Sequence, residues 1–212
     1  MSAHPITDVD DVDFYFKIQQ EEAKAFIHRS DRLAYRIREF KKCLRDLKVS
    51  HYFFYPDPGA KGVRKPDKTE VLVGLLDQYL KSQLQFMEHW QLLNRQMETI
   101  LQGYGVKEQL NEKKQKARLG LQPKKNKDTL AQSLDDWDEC KRELNSLQGK
   151  LMELEEEARS YVLGLIPPGE SIHLILTQWS VNSPPDSWPN DLESLLTLMT
   201  AHPMGLRELL KG

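Results

Sequence analysis

The chain has 212 residues, 39% hydrophobic and 29% charged, with a formal net charge of −2. That length fits one domain, or one domain with an appendage, and the charge content suits long amphipathic helices with solvated outer faces. A near-neutral total argues against a general nucleic-acid binder, no run approaches the roughly 18 apolar residues that span a bilayer, and two cysteines, Cys43 and Cys140, make no disulfide framework.

Residues 1–11 read as a polar leader, acidic and without the apolar core of a secretory signal, so a cytoplasmic location is expected. A first helix is expected from about Val12 to Lys48. Phe16, Gln19, Ala23, Phe26, Ser30, Leu33, Ile37, Phe40, Leu44 and Leu47 recur every three or four residues and mark its seam. Next come Ser50 to Tyr55, aromatic-rich and stopped by Pro56-Asp57-Pro58-Gly59, a pattern that predicts a short strand over 50–56.

Asp67, with Glu70 three residues on, has the spacing of a capping box and opens a second helix. Its seam is Leu72, Leu76, Tyr79, Gln83, Phe86, Trp90, Leu93, Met97, Ile100 and Tyr104, in which only Gln83 is polar. Leu75, Leu80, Leu84, Met87 and Leu101 widen it, as a helix with two neighbours requires. Gly103 and Gly105 predict an end or a bend, because glycine costs about 1 kcal/mol against alanine inside a helix. Residues 106–128 then form a polar tip whose turn is 119–128.

A third helix is expected from about Thr129 to Leu165, with the seam Trp137, Cys140, Leu144, Leu147, Leu151, Leu154, Ala158, Tyr161 and Leu165. Two seams that average 3.5 residues per step, joined by a short tip, predict an antiparallel coiled-coil hairpin. A turn centred near residue 121 would set Trp90 in the core, opposite a residue close to Met152.

Pro167-Pro168-Gly169 ends the third helix. Ser171 to Trp179 is β-branched and apolar and predicts a strand. A lone strand leaves its backbone unpaired, so it is expected to pair with the one near His51. A Pro-rich loop follows. Asn190 and Glu193 have capping-box spacing for a short helix through Leu192, Leu195, Leu196 and Met199, which Pro203 breaks before a last apolar turn at Leu206, Leu209 and Leu210.

The expected fold is therefore mainly α. It is an elongated three-helix bundle with a long antiparallel coiled-coil hairpin over 1–165, plus a small cap over 166–212. The cap joins a two-stranded β element, shared with 50–56, to short C-terminal helices.

No motif in the chain carries catalysis. The six histidines lack zinc spacing, Gly59-Ala60-Lys61-Gly62 lacks the Walker pattern, and neither cysteine has an evident activating histidine. Glu88 beside His89 could form an acid–base pair, but a histidine on the helix flank beside a core Trp90 explains the same residues. An enzymatic reading would rest on His51 and His173, which the strand pairing would bring together. The seams are otherwise dry, so the chain is expected not to be an enzyme and to need no metal or cofactor.

Charge is more informative. Arg29 to Lys48 holds eight basic and three acidic residues, a balance of +5, whereas Asp135 to Glu157 holds three basic and nine acidic, a balance of −6. The two faces either satisfy each other across a helix interface, or the first helix offers its cations to a phosphate backbone or an acidic protein. The tip is the second basic cluster, from Lys107 to Lys127, with Lys113, Lys114, Lys116, Arg118, Lys124, Lys125 and Lys127 as its candidate phosphate contacts. Anionic lipid head groups are the weaker alternative there.

For a protein partner, the candidate docking residues are Trp179, Trp188, Leu195, Leu206 and Leu210, which could equally form a minor core of their own. These features point to a non-enzymatic interaction module, an adaptor, regulator or subunit of a larger assembly, with another protein as partner. The alternative is a nucleic-acid-associated subunit that uses the tip and the first helix.

Overall fold

Each of the three long apolar stripes becomes one uninterrupted helix: α1 Val9–Phe54, α2 Lys68–Lys116 and α3 Lys125–Gly164. Two short helices follow, α4 Leu192–Ala201 and α5 Pro203–Lys211. The structure is a computed structural model and describes residues 9–54, 68–116, 125–166 and 189–211.

Among the described residues there is no strand, so the expected two-stranded element is corrected. His51–Phe54 is the last turn of α1. Extending an existing helix adds a hydrogen bond for each residue fixed, with no new nucleation, and this outweighs the strand preference of three aromatics. The expected partner, Ser171 to Trp179, lies outside the described residues, as does Asp67, the expected cap of α2. With His51 in a helix, the described residues give no support to the pairing that would bring it to His173.

α2 also passes through Gly103 and Gly105 without ending. Val106 to Lys116 is rich in Glu, Gln, Lys and Leu, and these strong helix formers offset the two glycines. α3 begins at Lys125, four residues before the expected Thr129, and its last turn tightens through Leu165 N–H to the Val162 carbonyl at 3.1 Å.

The chain divides into two compact units, residues 1–28 with 84–148, and residues 29–83 with 149–212; α1, α2 and α3 each contribute to both. In the first unit α1 and α2 run antiparallel. Gln20 Nε2 donates to Asn94 Oδ1 at 3.4 Å, and Phe26 meets Phe86 edge-on with ring centroids 5.1 Å apart. Phe16 lies against Trp137 at 5.0 Å, and these rings join Leu93, Met97, Ile100, Cys140 and Leu144 in the core.

The α2/α3 register in this unit is set by His89 Nε2, 3.1 Å from Glu143 Oε2, and by the Cys140 thiol, which donates to the His89 carbonyl at 3.8 Å. Trp90 is thus level with the Cys140–Glu143 turn, about three turns earlier on α3 than Met152. It is half-buried, and Met152 is exposed. One step forward on one helix is one step back on an antiparallel neighbour, so this register sets Lys125 level with about Lys107. The final turns of α2 run past the start of α3.

In the second unit Leu33, Ile37, Phe40 and Leu44 of α1, Leu72, Leu76 and Tyr79 of α2, and Leu151, Leu154, Ala158 and Val162 of α3 are all buried. Full burial of each large apolar side chain is worth roughly 1.5–3 kcal/mol. Leu192, Leu195, Leu196 and Met199 of α4 and Leu206 of α5 are wholly buried. The α4 cap is Asp191 rather than the expected Asn190: its Oδ1 accepts from Ser194 N–H at 2.8 Å. The shift leaves Glu193 free to approach Arg32 of α1, at 3.6 Å. His202 joins the two short helices, donating its N–H to the Met199 carbonyl and accepting from Leu206 N–H, with Pro203 in the first helical position of α5.

Candidate functional site

The cations of α1 sort by the flank they occupy in the second unit. Arg29 reaches Glu155 of α3 at 2.6 Å, Arg32 reaches Glu193 of α4, and Lys41 reaches Asp77 of α2. Mutual neutralisation by α1 and α3 is therefore only part of the pattern, because α2 and α4 supply acids as well. The Glu155 hydrogen bond holds the Arg29 guanidinium above its already high pKa, against the opposing effect of burial.

Arg38, Lys42 and Arg45 have no acidic partner among the described residues, and all three are exposed. With Tyr35, which is 55% exposed, they fall at steps of three, four and three residues. That spacing puts one aromatic and these three cations on a single stripe of α1. Arg36 lies 5.7 Å from the centre of the Tyr35 ring and covers part of it.

Beside this stripe, α1 and α2 enclose a half-open cleft of about 420 Å³. Arg38, Lys41, Leu44 and Arg45 line it from α1, and Thr69, Val73 and Leu80 from α2. Charged heads and aliphatic stems thus form its rim, while Leu44, Val73 and Leu80 give it an apolar floor. Leu80 was expected to widen the α2 seam; Thr69 and Val73 were not singled out. Their signal in the sequence is spacing, since steps of four and seven from Thr69 to Val73 and Leu80 keep all three on one face of α2.

The buried and half-buried polar groups of both units are structural in character. Tyr79 is 2% exposed, and burial, reinforced by the Glu155 carboxylate, pushes its phenol well above the ordinary tyrosine value. It stays protonated where a general base would have to ionise. Burial likewise raises the Cys43 and Cys140 thiols, and Asp46 and Glu143 add to this respectively, so neither has the thiolate character of a nucleophile. Cys140 is buried as expected, whereas Cys43 is half-buried. His89 lies half-exposed on the flank of α2 with its ring on Gln85 and Glu143, not on Glu88. Among the described residues no group of three or more metal-binding side chains converges, and no helix is long and apolar enough to cross a membrane.

Of the expected docking residues, Leu195 and Leu206 are fully covered within the second unit and Leu210 is half-buried. Trp179 and Trp188 lie outside the described residues. Of the expected phosphate contacts, Lys113, Lys114 and Lys116 fall in the final turns of α2, and Lys125 and Lys127 in the first turn of α3. Arg118 and Lys124 lie outside the described residues.

No family model matches the chain, and neither the curated proteins nor the solved structures contain a significant match.

Proposed function

We propose that this chain is a non-enzymatic, cytoplasmic protein-interaction module, an adaptor, regulator or subunit of a larger assembly, that docks its partner on the exposed flank of α1. The observation that carries the reading is the stripe of Tyr35, Arg38, Lys42 and Arg45. Arg29, Arg32 and Lys41 are neutralised within the fold, while Arg38, Lys42 and Arg45 have no acidic partner among the described residues. Tyrosine and arginine are the residue types that most often anchor interfaces, because each combines a large contact area with directional polar groups. Nothing in the core needs this stripe. Its positive charge selects for an acidic surface and speeds encounter with it.

The competing reading is nucleic-acid binding through the same helix and the lysines near the α2–α3 connection. Affinity purification of the tagged chain from its native host, with and without nuclease, tests the two. A protein that is retained after nuclease treatment and lost with Arg38→Glu, Lys42→Glu and Arg45→Glu supports docking. Salt-dependent binding of the purified chain to generic DNA or RNA, with no nuclease-resistant protein partner, overturns it.

A further inference from the structure

We propose that the α1/α2 cleft of the second unit receives an amphipathic helix from a partner protein, with acidic residues at three- and four-residue spacing beside an apolar ridge. This rests on the interaction reading above and specifies the chemistry of the partner.

Three observations lead there. First, the two flanks of α1 differ. Arg29 and Arg32 have Glu155 and Glu193 for partners, whereas on the cleft side Asp77 is paired with Lys41, and Arg38 and Arg45 have no acidic partner among the described residues. Arg38 and Arg45 therefore stand at the rim with charge to spare. Second, Val73 and Leu80 are only half-buried and lie seven residues apart, so they stack two turns from each other on one face of α2. A groove of that kind between two packed helices accepts the side-chain ridge of a third.

Third, the dimensions match. Arg38 to Arg45 spans about 10 Å at 1.5 Å per residue, two helical turns, so acids three or four residues apart on a docked helix meet successive cations. A phosphate backbone would satisfy the rim and leave the apolar floor wet. An acidic amphipathic helix covers both.

The test uses the full-length chain with the photoreactive residue p-benzoylphenylalanine replacing Val73, expressed in the native host and irradiated there. A chain with the same residue replacing the exposed Met152 serves as control. Crosslinked peptides are then sequenced by mass spectrometry. The expected product joins position 73, but not position 152, to a segment of another protein that carries Asp or Glu at three- and four-residue spacing. Arg38→Glu with Arg45→Glu should lower its yield roughly tenfold or more, and Lys150→Glu should leave it unchanged. Circular dichroism melts that match the unaltered chain show that the variants fold.

Crosslinks only to this chain's own residues, to nucleic acid, to lipid, or to a partner segment without the acidic pattern overturn the assignment. If a partner is captured through Tyr35, Arg38, Lys42 and Arg45 while position 73 stays unlinked, the cleft assignment alone fails. If no nuclease-resistant partner is captured, the interaction reading fails with it.

Discussion

The buried amide of Gln83 donates from Nε2 to Asp31 Oδ1 at 2.7 Å, tying α2 to α1 at the one polar position in the α2 seam. Its other atom, Oε1, is buried with no hydrogen-bond partner among the described residues. The amide therefore gains one charge-assisted bond and loses the solvation of one acceptor, two contributions that largely cancel.

Gln83→Leu should accordingly leave stability within about 1 kcal/mol of the unaltered chain, or raise it, because it removes the orphaned acceptor and leaves Asp31 in water. Gln83→Ala should cost about 1–3 kcal/mol, because it also opens a cavity. Urea unfolding of both variants separates these outcomes. Equal losses in the two would show that the bond to Asp31 contributes net stability.

Burial sets the order of two further substitutions. Leu151 is 1% exposed in the second unit, so Leu151→Ala should cost roughly 2–5 kcal/mol. Trp90 is half-buried on the flank of α2, and Trp90→Ala should cost less than Leu151→Ala, about 1–2 kcal/mol. Chemical denaturation measures both; a greater loss at Trp90 would restore it to the centre of the core.

Tyr79 gives the fold an alkaline limit. Its pKa is raised in the folded state, chiefly by burial, so the native chain holds the phenolic proton after the unfolded chain has released it. The contribution is complete below the unfolded value of about 10 and declines as pH rises from there toward the folded value. Stability measured by urea unfolding should fall more steeply above about pH 10 in the unaltered chain than in Tyr79→Phe. Parallel curves for the two would mean that the phenol is not shielded.

The three seams were legible because apolar spacing at three and four residues is a local property. Leu33, Ile37, Phe40, Leu72, Leu76, Leu151 and Ala158 are all buried as the pattern requires. What local pattern did not reveal was where each helix stops. His51–Phe54 looks like a strand in isolation, yet it continues a helix of 46 residues. Gly103 and Gly105 look like a terminus, yet the helix formers after them carry α2 to Lys116. The hairpin register was not legible either, since the centre of the tip in sequence is not the centre of the pairing.

The site was half legible. The excess of positive charge on α1 is plain in the sequence, but which cations remain unpaired depends on contacts across 36 residues, as for Lys41 with Asp77, or 126, as for Arg29 with Glu155. Windowed charge counts cannot resolve that. Leu195 and Leu206 were ambiguous for the same reason, since a short apolar helix reads alike whether its face meets its own bundle or a partner.

The most direct test of the account is the salt dependence of binding between the purified chain and the partner it captures, compared with the Arg38→Glu, Lys42→Glu and Arg45→Glu chain. The account predicts that affinity falls as salt rises, and that the substituted chain binds at least tenfold more weakly at low salt with a flatter salt dependence. Equal affinity and an equal salt response in the two chains would contradict it.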